Sequence, residues 1–262
     1  MFNRTWPAVD PETRILLALL LLRSNKLDAL PLVLGENDSS RFVSGFSCLS
    51  KLVQSNPTNY KSFFEQSCEG VSLELPTIPA EKNLESLLEA FSNSGFGFAW
   101  AEWKHDSRVG GFLALRDLLP LYGKSIINTD LLVRDIVSPN ILSLDADTSL
   151  EQALNKMIVR RVRRILISEN KRVVSDREII DFVFSPDRLE RVLENPSTLL
   201  EGKLGDLESA SPITLRNEQS VGVAAELLRV EDGGCGICES GIVTPWDVVI
   251  KPWKQNRLRI EE

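Results

Sequence analysis

Four short segments of this chain resemble one another, and a chain that repeats itself at a near-regular interval is constrained to fold as a set of similar units. They read Val43-Ser-Gly-Phe-Ser47-Cys-Leu-Ser50, Gly110-Gly-Phe-Leu-Ala114-Leu-Arg-Asp117, Arg172-Val-Val-Ser175-Asp-Arg-Glu178 and Gly241-Ile-Val-Thr244-Pro-Trp-Asp247. Each is a small apolar strand, then a turn residue or hydroxyl, then the start of an amphipathic helix. Positions 47, 114, 175 and 244 are separated by 67, 61 and 69 residues. Units of that length are too short to be comfortable independent domains.

The flanking sequence repeats as well. In the third unit, residues 140–144 read as a strand and 147–157 as a helix capped by Asp147 or Thr148, with Leu150, Ala153, Leu154 and Met157 on one face. Residues 164–167 and 172–174 read as a hairpin, and Ser175 opens a second helix. The fourth unit repeats the order with a strand at 213–215, a helix near 220–229, a hairpin at 236–238 and 241–243, and a helix from Thr244. The second has strand 77–78, helix 84–92, strands 96–102 and 109–113, and a helix to Leu121. The first is the most degenerate, with a helix near 13–25, strands 30–34 and 41–45, and a helix from Ser47.

The fold class is therefore mixed α/β, with four strand–helix–strand–strand–helix units. Such a unit leaves one apolar sheet surface uncovered, so units pack in pairs. The expected division is 1–125 (units near 10–54 and 71–123) and 126–262 (units near 131–184 and 204–254). The two pairs are expected to form an intramolecular disc with approximate twofold symmetry. Residues 187–193 read as a helix between the third and fourth units.

This arrangement resembles the cystathionine-β-synthase (CBS) domain family, whose members occur in tandem pairs. The resemblance rests on Gly, two apolar residues, Thr or Ser, two residues, Asp. Gly241-Ile-Val-Thr244-Pro-Trp-Asp247 matches in full. Gly111 to Asp117 loses the hydroxyl, Ser175 to Glu178 keeps a hydroxyl and an acid without the glycine, and Ser47 to Ser50 has no acid. Residues 162–167 look like the family's second strand. The resemblance spans about residues 10–254 and implies a regulatory nucleotide-binding module, with AMP, ADP or ATP as ligand and no required cofactor. It implies ligand contact along the strands of the fourth unit, at Ile213, Thr214, Cys235 and Gly236.

Read as chemistry alone, Thr244-x-x-Asp247 and Ser175-x-x-Glu178 are helix capping boxes, with Pro245 at a first helical position. The same geometry offers free N–H groups to an anion and a carboxylate to a ribose diol. Thr244 and Asp247 lead as ligand residues, followed by Ser175 and Glu178, then Asp117. Ser47 and Ser50 lack the acid. Asp247→Ala is expected to hurt binding most, Glu178→Ala less and Ser50→Ala not at all. Arg160, Arg161, Arg163, Arg164, Lys171 and Arg172 concentrate six positive charges in thirteen residues, and Arg163 and Arg164 are the candidates for a phosphate. Cys235-Gly-Ile-Cys238 is a lone pair of cysteines where structural zinc needs four ligands, so packing is expected and no metal. His105 sits in a polar turn and reads as a solvated hairpin residue.

Composition narrows the function classes. The 30 basic and 37 acidic residues leave a net charge of −7, which speaks against a nucleic-acid coat or a polybasic membrane anchor. A single histidine and no evident nucleophile–base pair leave an enzyme the least favoured reading. The longest apolar run is Ile15 to Leu22, far short of the roughly 20 residues of a membrane helix. It continues into Arg23-Ser-Asn-Lys26 rather than a cleavage site, so a cytoplasmic protein is expected. The expectation is a non-catalytic nucleotide sensor, monomer or homodimer, acting on a protein target the sequence does not name. The alternatives are a nucleic-acid-associated protein using residues 160–172, or a scaffold whose sites have decayed.

Overall fold

The computed structural model describes residues 7–34, 38–55, 60–79, 83–103, 106–209, 211–230 and 234–260. His105 lies outside the described residues.

The first repeat comprises α1 (Ile15–Ser24), β1 (Ala29–Leu34), β2 (Asp38–Ser44) and α2 (Gly45–Val53). Among the described residues its opening strand is one parallel bridge, Val9 to Leu32. Then come α3 (Tyr60–Glu65) and β3 (Leu73–Glu74), which pairs antiparallel with β2. The second repeat is β4 (Thr77–Pro79), α4 (Leu84–Ser94), β5 (Phe98–Trp103), β6 (Asp106–Ala114), a 3-10 turn over Leu115–Leu118 and α5 (Pro120–Gly123). The short β7 (Ile127–Asn128) and α6 (Val133–Ile136) lead to the third repeat, β8 (Ser143–Leu144), α7 (Leu150–Arg160), β9 (Arg164–Ile167), β10 (Val173–Ser175) and α8 (Asp176–Val183), with α9 (Pro186–Glu194) after it. The fourth is β11 (Ile213–Thr214), α10 (Val221–Val230), β12 (Gly236–Cys238), β13 (Gly241–Val243) and α11 (Pro245–Lys254), and β14 (Arg259–Ile260) closes on β7.

The repeat is visible in the ladders. In the second, third and fourth repeats the first strand runs parallel to the second, which pairs antiparallel with the third. The parallel step needs a crossover, and the amphipathic helix between the two strands supplies it. Leu150, Ala153, Leu154 and Met157 of α7 are all buried, as their spacing requires.

Two helix starts differ from expectation. The N-cap of α7 is Ser149, whose hydroxyl accepts from the Gln152 N–H at 3.3 Å, while the Asp147 carboxylate pairs with Lys203 Nζ at 2.7 Å. In the first repeat α2 opens at Ser44 rather than Ser47. Ser44 and Ser47 form a reciprocal box, Ser47 N–H to Ser44 Oγ at 3.0 Å and Ser44 N–H to Ser47 Oγ at 3.1 Å. Ser47 thus takes the place of the acid, and Ser50 lies a turn further on.

Contacts gather the chain into two compact units, one from 6–74 with 142–210, the other from 75–141 with 211–262. These cut across the halves 1–125 and 126–262, because each unit takes one repeat from each half. Each has its own core. The first–third unit buries Leu19, Leu22, Leu49, Leu52, Phe63 and Phe184 among others. The second–fourth unit buries Leu88, Phe91, Leu118, Leu228, Val249 and Ile250.

Candidate functional site

In the second–fourth unit, Thr244 caps α11 in an extended conformation. Asp247 Oδ2 accepts from both the Thr244 N–H and its Oγ1, each at 2.8 Å. Its Oδ1 accepts from Ser138 Oγ at 2.7 Å and meets Lys251 Nζ at 2.9 Å. Four donors fill the roughly four lone-pair positions of a carboxylate, and Asp247 is only 3% exposed. The motif's glycine has a steric reason. Gly241 sits at φ +148°, and a Cβ there would stand 2.2 Å from the Ser138 carbonyl oxygen. That closeness comes from a backbone exchange in which Ser138 N–H donates to Ile242 O at 2.9 Å and Ile242 N–H to Ser138 O at 3.0 Å.

The equivalent place in the first–third unit is open. Ser175 caps α8, and Glu178 Oε2 accepts from the Ser175 N–H at 2.7 Å and Oγ at 2.5 Å. Glu178 Oε1 has no hydrogen-bond partner among the described residues. Glu178 lines a cleft of about 850 Å³ together with Arg23, Ser24 and Lys26 at the end of α1, Arg172, Arg177, Asp181 and Phe182, and residues 206, 208 and 209. A volume of that size falls within the usual range for small-molecule sites. The Ser209 hydroxyl is buried at its wall without a hydrogen-bond partner among the described residues, while its carbonyl accepts from Arg172 Nε at 2.9 Å. Ser209 matches Ser138: Asp206 accepts from the Lys203 N–H, and Asp135 from the Leu132 N–H, both at 2.8 Å and three residues before each serine.

The cleft is mixed in charge. Arg23 donates from Nε to the Asp181 carbonyl at 3.3 Å. Neither Lys26 nor Arg177 makes an ion pair among the described residues, although both lower the Asp181 pKa through space. Burial nevertheless prevails and pushes the Asp181 carboxyl above its ordinary value.

The remaining candidates are dispersed. Arg163 does not face an open anion site. Its guanidinium grips Asp176 at two points, Nε to Oδ1 at 3.1 Å and Nη2 to Oδ2 at 2.8 Å, and reaches Asp28 at 3.4 Å. Asp176 is 2% exposed, so it needs that partner. Arg164 lies opposite Ser175 across β9 and β10 and within electrostatic reach of Asp176. Asp117 accepts from the Ala114 N–H at 2.8 Å, a cap in the second repeat. Ile213 and Thr214 pair with Gly236 and Ile237 in the ladder. Gly236 is needed for packing, since a Cβ would fall 2.5 Å from Leu215 Cδ1. Cys235 and Cys238 are buried and form no disulfide, and no cluster of metal-ligating side chains occurs among the described residues. No described helix is long and apolar enough to cross a membrane.

Sequence reasoning overlooked Ser138, Lys251, Lys26, Arg177, Phe182 and Ser209. A register of the repeats carried upstream, placing Asp135-x-x-Ser138 on Asp206-x-x-Ser209, is the signal that finds the two serines.

Comparison with known proteins places this geometry. Residues 133–185 match the CBS domain model. The chain is 24% identical, over 93% of its length and 86% of the other, to a 33.4 kDa protein in the ribosomal RNA operon of Thermofilum pendens. Over 131 residues it is 27% identical to a CBS domain-containing protein of Dictyostelium discoideum, 45% of this chain and 88% of that one. Among solved structures, protein MJ1225 of Methanocaldococcus jannaschii, proposed as an archaeal homologue of γ-AMPK, superposes with a TM-score of 0.82 at 18% identity, covering 95% of this chain and 96% of its own. A conserved protein of Pyrococcus horikoshii superposes at 0.57 and 10% identity over 94% and 95%. At these identities the likeness to the solved structures is one of fold.

Proposed function

We propose, from the premise that this chain is a CBS-domain protein, that it is a non-catalytic regulatory protein that binds an adenine nucleotide in the cleft of the first–third unit. The observation that carries this reading is the meeting, in one cavity, of polar oxygens without a partner and cations without a direct ion pair among the described residues. Among the described residues Glu178 Oε1 and Ser209 Oγ have no hydrogen-bond partner, and Lys26 and Arg177 make no direct ion pair, meeting Asp181 only through space. A ribose diol supplies donors for the carboxylate, and a phosphate supplies acceptors for the cations. The adenine nucleotide follows from the family resemblance, and AMP, ADP and ATP remain the class.

What lines the cleft supports a regulatory role. Its walls come from the end of α1, the turn before β10, α8, the start of α9 and the segment before the fourth repeat. A ligand bridging these segments favours the arrangement in which they are close, and that difference in affinity is what shifts a conformational equilibrium. A nucleic-acid surface on residues 160–172 is less favoured, because Arg163 is held by two aspartates and Arg172 by the Ser209 carbonyl.

Titration calorimetry with AMP, ADP, ATP and adenosine tests the reading. A phosphate-bearing ligand is expected to bind at least tenfold tighter than adenosine. Glu178→Ala and Arg177→Ala each remove a charge-assisted contact worth about 1.5–3 kcal/mol, tenfold or more in affinity. Equal binding of AMP and adenosine, or full affinity in both variants, discards the proposal.

A further inference from the structure

We infer that Lys251 closes the fourth repeat's motif as an internal, tethered occupant, so that the chain takes up one nucleotide in the first–third unit and none at Thr244–Asp247. The identity of the ligand rests on the reading above; the closure rests on geometry alone. The Lys251 ammonium donates to Ile136 O at 2.5 Å, Val137 O at 3.0 Å and Ser138 Oγ at 2.9 Å, and pairs with Asp247 Oδ1 at 2.9 Å. Those groups stand around it as oxygens stand around a bound cation. Three hydrogens meet four acceptors, so the lysine has no donor left over.

The two repeats differ in what stands one helical turn after the acid. Lys251 lies one turn after Asp247, and the residue one turn after Glu178 is Phe182. In α11 the i+4 neighbour is a cation that reaches back to the acid. In α8 it is an aromatic ring that lines the cleft and cannot donate to Glu178. The serines report the same difference, since Ser138 is bonded to Asp247 and the Ser209 hydroxyl has no partner among the described residues. The closure is also pinned in the backbone. Residues 136–138 are stapled to β13 by the Ser138–Ile242 exchange, and Gly241 admits that approach. A ribose seeking Asp247 would have to displace two donors and lift that segment. The motif most complete in sequence is therefore the one the fold has already filled, and the less complete one is free.

The test has a nucleotide arm and a chemical arm. Wild-type protein is expected to take up one equivalent of AMP, with affinity unchanged within twofold in Asp247→Asn and Ser138→Ala. Lys251→Met keeps the aliphatic stem and removes the ammonium. It is expected to show a second binding event, absent again in Lys251→Met/Asp247→Asn. Independently of any nucleotide, Lys251 should be acetylated by an amine-directed reagent at least tenfold more slowly than the exposed Lys124. The inference is overturned if Asp247→Asn weakens wild-type AMP binding tenfold, if folded Lys251→Met shows no second event, or if Lys251 reacts as fast as Lys124. Should Lys251→Met fail to fold, the Asp247→Asn and Ser138→Ala titrations and the labelling rates decide. If neither wild type nor Lys251→Met binds AMP, the nucleotide reading falls, and the labelling rate alone decides the closure.

Discussion

Tyr122 donates its hydroxyl hydrogen to the Val248 carbonyl at 2.6 Å. Pro252 lies inside α11, four residues after Val248, and has no N–H to give. The tyrosine therefore satisfies a buried acceptor that the helix leaves open. Tyr122→Phe should cost about 1–3 kcal/mol in urea denaturation, and a loss near zero contradicts this. Burial also pushes the Tyr122 phenol well above its ordinary value. The folded state holds the protonated form, so this contribution is fully present below the unfolded value of 10.0 and declines as pH rises past it. Stability from pH 9 to 11 should fall less in Tyr122→Phe than in wild type.

Gly241→Ala places a methyl group 2.2 Å from the Ser138 carbonyl oxygen on a backbone at φ +148°. Strain of that kind costs about 1–3 kcal/mol before any collision is counted. The loss should appear as a lower denaturation midpoint, with hydrogen exchange faster at the Ser138 and Ile242 amides than at those of β9. Unchanged exchange at both amides would show that the segment is held by something else.

Arg163 is held by Asp176 and Asp28. Arg163→Met leaves Asp176 buried without its bidentate partner, and breaking such a pair costs about 3 kcal/mol, the low end because the guanidinium is partly exposed. Arg163→Met/Asp176→Leu should recover most of the loss, since no unpaired charge is then left on Asp176. A double variant as unstable as the single one rejects this account.

Asp181 works against an anion in the cleft. Its carboxylate lies within electrostatic reach of Arg177, Arg23 and Lys26. Asp181→Asn removes that competition, and AMP affinity at pH 7.5 should rise about two- to fivefold, on the order of a surface ion pair. The gain should shrink in high salt, where exposed charges are screened. Weaker binding in the variant would place Asp181 among the ligand contacts.

The sequence by itself determined the repeat, the order of elements in each unit and the helix starts at Ser175 and Thr244. These depend on short-range causes: alternation in strands, 3.6-residue spacing in helices, and hydroxyl–acid boxes three residues apart. It misplaced the caps at Ser44 and Ser149, where neighbouring hydroxyls compete and the chosen one depends on what else each side chain can reach. Only the tertiary structure decided which motif is open. Thr244–Asp247 and Ser175–Glu178 look alike locally, with the first the more complete. Whether a carboxylate is available depends on donors brought from 109 residues away, as Ser138 is, and from the next turn, as Lys251 is. Arg163 shows the same limit, because its partner Asp28 lies 135 residues earlier in the chain. Capping is a property of neighbours in sequence; occupancy of a buried charge is a property of neighbours in space.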